Sequence, residues 1–294
     1  MTIKSVTLPI IIGSITLFSC SDSTTKKTSN QDEIIDSISV VSDSMPNPED
    51  EEVSYRLPSA LQIAYIFKKS GSAFVPTLAN NKTSVNKYNT SNYKRATNFG
   101  VYSADLAYCL FNKKYQESKD YLKACKEMGT ELGLNQVFES DNLAQRFDKN
   151  ITNEDSIVKI VANVQLKTDV VFEQNKQKHI TAVAFTGAWI ESAYIASEVY
   201  AKDKNKKVLA SLLEQLLLSE TIIKALKANK QAEPEMPALI EAVEKINAAY
   251  NSVEAIKLAN EKEEEIDFSK ITVKDSELKV ISEAIISLRK NIID

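Results

Sequence analysis

The chain has 294 residues, with 36 Lys and Arg against 40 Asp and Glu, one histidine, three cysteines and six glycines. Near-balanced charge excludes the concentrated basic face that nucleic acid requires. One histidine and no cysteine pair at ligand spacing give a zinc site no support, and no phosphate loop, dinucleotide fingerprint or nucleophile elbow is present.

Residues 1–19 read as an export signal. Lys4 precedes an apolar run from Val6 to Phe18, well short of the ~20 residues that cross a bilayer as a helix. Leu17-Phe18-Ser19-Cys20 resembles a bacterial lipobox. The resemblance implies that Cys20 becomes the lipid-bearing first residue of the mature chain, the alternative being an ordinary cysteine behind a cleavable signal. Each buried acyl methylene contributes about 0.8 kcal/mol, so several chains hold a protein stably on a membrane. Ser21 stands where an aspartate would signal inner-membrane retention under the proteobacterial sorting rule. The expected location is therefore the cell envelope, at the outer membrane, with the periplasmic and outer faces both open.

Residues 20–56 form an acidic tether in this reading. They are rich in Ser, Thr, Asp, Glu and Asn, with nine acids against three bases when Arg56 is counted. Such a segment cannot bury enough apolar surface to offset chain entropy, which predicts disorder. The acidity of the chain is concentrated here, and the remainder is close to neutral. Asp22-Ser23-Thr24, Asp36-Ser37-Ile38 and Asp43-Ser44-Met45 each resemble the triplet that Bacteroidota use for O-glycosylation of exported proteins. The resemblance makes Ser23, Ser37 and Ser44 candidate glycan carriers. A fourth copy, Asp155-Ser156-Ile157, sits at a predicted helix start, where Asp and Ser are expected as capping residues.

From residue 57 to 294 the apolar residues recur with a period near 3.6, which predicts an all-α single domain of eight to nine antiparallel-packed helices. Helices are predicted near 58–70, 94–112, 115–131, 136–149, 154–176, 179–202, 205–229, 237–260 and 274–292. The cleanest pattern is Leu239, Val243, Ile246, Tyr250 and Val253, behind a Pro237 suited to a first helical turn. Thr272-Val273-Lys274-Asp275 and Thr152-Asn153-Glu154-Asp155 look like capping boxes. Residues 179–202 are the most hydrophobic stretch and the expected centre. There Ala184, Ala188, Ser192 and Ala196, four apart, make a smooth strip for a close neighbour.

Cys109 and Cys125 fall on the two helices of a predicted hairpin that turns near Asn112 to Lys114. Their offset of eight residues is about 12 Å of helix rise, beyond the ~7 Å Cα limit for a disulfide. They read as small core residues. His179, at a predicted helix start beside Lys178, reads as exposed.

Asp105 and Glu191 are acids inside apolar helices. Asn98, Asp105 and Asn112 are seven apart, with Tyr102 and Tyr108 close by, and Glu191 shares a face with Glu198. One reading brings Asp105 and Glu191 together in a pocket, with raised pKa values suited to acid/base work or cation binding and with Tyr102 and Tyr194 beside them. The other places each acid at the wet edge of its helix or against a Tyr, Asn or Lys partner; Asp169 and Glu173 fit the wet-edge reading too. Gly71 to Tyr93 is a long connection for a compact domain, with aromatics that suggest a lid, a recognition surface or a packed structural loop.

Three stretches carry a wider resemblance: Leu57-Pro58-Ser59-Ala60-Leu61-Gln62-Ile63-Ala64, the run Asn98 to Tyr108, and Gly187-Ala188-Trp189-Ile190-Glu191-Ser192-Ala193. They are similar to a group of predominantly helical lipoproteins of Bacteroidota that has no assigned activity. The resemblance implies envelope location and a helical fold, and carries over no catalytic residue. Anchor, tether and a body without a catalytic motif point to a non-enzymatic module that binds an envelope protein or small ligand, without cofactor. A hydrolase using the carboxylate pair and a carrier of an apolar ligand are the alternatives.

Overall fold

A computed structural model describes residues 73–294. The expectations for the signal, Cys20, the tether with Ser23, Ser37 and Ser44, and the helix at 58–70 all lie outside the described residues. Every regular element described is helical. After two short 3₁₀ turns, Pro76–Leu78 and Val85–Tyr88, come α1 (Asn92–Phe111), α2 (Tyr115–Glu131), α3 (Asn135–Glu139), a 3₁₀ turn Ser140–Asn142 and α4 (Leu143–Asn150). Then follow α5 (Glu154–Gln174), α6 (Lys178–Asp203), α7 (Lys206–Leu216), α8 (Ser219–Lys227), α9 (Met236–Asn251), α10 (Glu254–Lys262) and α11 (Asp275–Ile293).

The helix starts follow local chemistry. Ser91, with extended backbone, accepts from the Lys94 amide ahead of α1, and Asn153 accepts from the Ser156 amide ahead of α5. The cap at α5 is thus Asn153 and not Thr152. At α11 the expected Thr272–Asp275 box gives way to a later start, where the Glu277 carboxylate takes the amides of Lys274, 2.8 Å, and of Glu254, 2.9 Å. One side chain therefore serves the starts of both α10 and α11. Pro237 lies in the first turn of α9, and Leu239, Val243, Ile246, Tyr250 and Val253 are all buried, as their spacing predicts.

The predicted helices at 136–149, 205–229 and 237–260 are each divided. The breaks fall at Ser140–Asn142, at Leu217–Leu218 and at Ser252–Val253. Asn142 takes a left-handed conformation, which asparagine tolerates better than most residues. Val253 turns to extended backbone and is fully buried. Packing against the core bends the chain at these points, overriding an uninterrupted local propensity.

α6 is the central helix, buried over most of its circumference. Its main neighbour is α1, and each helix meets the other through a glycine. A Cβ on Gly100 would lie 1.8 Å from the Ala184 carbonyl oxygen, and one on Gly187 would lie 1.9 Å from that of Thr97. The smooth strip predicted at Ala184 and Ala188 therefore receives the backbone of α1. Trp189 Nε1 donates to the Gln215 carbonyl, 2.8 Å, fixing α7 to α6, and the hydroxyls of Ser197 and Ser282 meet at 2.8 Å between α6 and α11. Sequence neighbours such as α1 and α2 pair antiparallel across short turns. The contacts of α1 with α6 instead advance in the same direction along both helices.

Cys109 and Cys125 are buried free thiols on α1 and α2. Burial pushes each thiol up to about 12. His179 departs from the expectation of exposure: it is half-buried, with Nε2 3.5 Å from Glu233. α6 begins close to the segment ahead of α9, and that packing shields the ring.

Candidate functional site

The two acids of the apolar helices meet. Asp105 on α1 and Glu191 on α6 are both completely buried, and the charge of Glu191 acts on the Asp105 carboxyl. Two neighbouring buried carboxyls disfavour double ionisation, so one of them is driven towards its neutral form. Asp105 Oδ2 accepts the Asn80 amide at 3.0 Å, while Oδ1 has no N–H or other donor. Glu191 is engaged by Arg289 of α11 in a two-pronged contact, Nε to Oε2 at 2.6 Å and Nη2 to Oε1 at 2.8 Å. A bidentate guanidinium favours the ionised carboxylate. The proton therefore belongs to Asp105, whose pKa is held well above the ordinary carboxylate range by burial first and by the Glu191 charge second. The cluster is then one cation, one anion and one neutral acid, which is close to neutral overall.

Arg289 is positioned from three sides. Its Nη2 also donates to the Leu78 carbonyl, 3.2 Å, and its guanidinium carbon lies 3.9 Å from the ring centre of Tyr194. Such stacking suits the flat, weakly hydrated guanidinium. Tyr194 is half-buried at the edge of the cluster.

The connection ahead of α1 is a strap closed over this cluster. Its backbone is held by buried side chains, one after another. The Val75 amide donates to Tyr108 Oη at 2.8 Å, Tyr121 Oη donates to the Asn80 carbonyl at 2.6 Å, and Tyr102 Oη donates to the Asn81 carbonyl. Asn80 Nδ2 reaches Tyr88 Oη, and Tyr88 in turn donates to the Ile293 carbonyl near the end of α11. Lys87 Nζ shares that carbonyl, and Asn98 Nδ2 takes the Ile292 carbonyl. Phe74 lies against Tyr108 with ring centres 4.9 Å apart, and Lys82 pairs with Asp120. Backbone groups of an irregular segment need partners when buried. The tyrosines and Asp105 supply them here.

The geometry decides between the readings of these residues. Asp105 and Glu191 are not at a wet edge, since neither retains any exposure. Nor do they open on a cleft, because strap, α11 and Tyr102 cover them. Burial also raises the hydroxyls of Tyr102 and Tyr121, so both remain donors. Both carboxyls are engaged by the protein itself, Asp105 by the Asn80 amide and Glu191 by Arg289. What the arrangement does chemically is hold the strap down. The residues missing from the sequence reading are Arg289 and Asn80. The available signal was Arg289, one of four arginines in the chain, set beside the buried Leu288 in an apolar helix.

Asp169 is likewise not on a fully solvated face: it is half-buried, and burial pushes its carboxyl up to about 6. Glu173 is exposed and lies 3.3 Å from Lys178. A recess of about 220 Å³ lies where α1 and α6 begin and α2 and α5 end, with Asn92, Glu131, Asn175 and Gln177 around Phe172 and Ile180. Among the described residues no cluster of three or more His, Cys, Asp or Glu is placed to hold a metal ion, and no helix is long and apolar enough to cross a membrane. No family model, curated protein or solved structure matches the chain.

Proposed function

We propose that this protein is a lipid-anchored envelope protein whose helical body binds a partner and does not turn over a substrate. Cys20 carries the acyl chains, residues 20–56 are the tether, and Ser23, Ser37 and Ser44 on it carry O-linked glycans. The body stands off the outer membrane as a binding or scaffold module, like the Bacteroidota lipoproteins it resembles. The observation that carries the non-enzymatic part is the sealing of Asp105 and Glu191: the pair best suited to acid/base work is fully buried and committed to Asn80 and Arg289. The recess between Asn92 and Gln177 is polar at its rim and small, which favours a small polar solute or a protein surface over an acyl chain as ligand.

The test uses the parent, Cys20→Ala and Asp105→Asn in a host lacking its own copy, with a radioactive lipid precursor. Parent and Asp105→Asn should label equally, fractionate with the outer membrane and restore the host alike. Cys20→Ala should lose label and membrane residence. Label on the Cys20→Ala chain would remove the anchor from the proposal. A folded, correctly located Asp105→Asn chain that restores nothing would overturn the non-enzymatic reading.

A further inference from the structure

We draw no further inference here: the strongest candidate, the apolar stripe of Val158, Ala162, Leu166 and Val170 on the outer face of α5, carries nothing because nothing in the structure shows what covers it.

Discussion

Asp105 is the residue whose protonation the fold fixes. Burial and the Glu191 charge make the folded chain hold this proton to higher pH than the unfolded chain, which releases it above about pH 4. The native state thus binds the extra proton, and the contribution of this group to stability falls as pH rises from about 4 towards the folded pKa. Asparagine has the shape of the neutral acid: its carbonyl can accept the Asn80 amide, and its amide can donate to Glu191. Asp105→Asn should therefore gain on the parent as pH rises above about 4, an advantage readable in urea titrations across pH. An advantage that stays flat with pH would place the proton elsewhere. Arg289→Met should be far worse, by about 3–5 kcal/mol, because it strands the buried Glu191 charge. Adding Glu191→Leu to it should recover most of that loss. The acids were legible in the sequence because a carboxylate inside an apolar helix is conspicuous. Their partners were not: Arg289 lies 98 positions from Glu191 and Asn80 lies 25 from Asp105, and no local pattern encodes such distances.

At the scale of elements, the crossing of α1 and α6 depends on two hydrogen atoms. Gly100 and Gly187 each face a backbone carbonyl of the other helix, and backbone cannot move aside as a flexible side chain does. In an exposed helix, Gly→Ala would gain up to about 1 kcal/mol from propensity. At these positions the clash dominates, and Gly100→Ala or Gly187→Ala should each lose about 3 kcal/mol or more. For a body of this size that lowers Tm by roughly 6–12 °C, readable by circular dichroism. An unchanged Tm in either variant would mean that the helices sit further apart. The strip of alanines on α6 was visible as a four-residue period, and so were the long helices themselves. The breaks at Leu217–Leu218 and Ser252–Val253 were not, since no glycine or proline marks them and the apolar period runs through. They are set by what each half must bury, which only the assembled core defines.

The whole molecule is closed by contacts between distant parts of the chain. The strap from Phe74 to Tyr88 is tied to the last turn of α11 through Lys87, Tyr88 and Arg289, and α11 in turn packs on α6, α9 and α1. None of α1, α6, α11 or the strap can leave without stranding a buried polar group on another, so these parts should open together. α5 and α10 stand differently, because four residues of α5 and only Ile256 of α10 are buried within them. Their local opening releases little apolar surface and leaves the carboxyl cluster intact. In native-state hydrogen exchange, amides in the middle of α1, α6 and α11 should therefore share one slow class at the global unfolding free energy, and those of α5 and α10 should exchange earlier. Asp105→Leu should lower the slow class as a unit by about 1–3 kcal/mol, the cost of an unsatisfied buried group, while α10 stays where it was. If α11 exchanged ahead of α6, the strap would not be coupling the two, and the carboxyl cluster would be a local feature of α1 and α6.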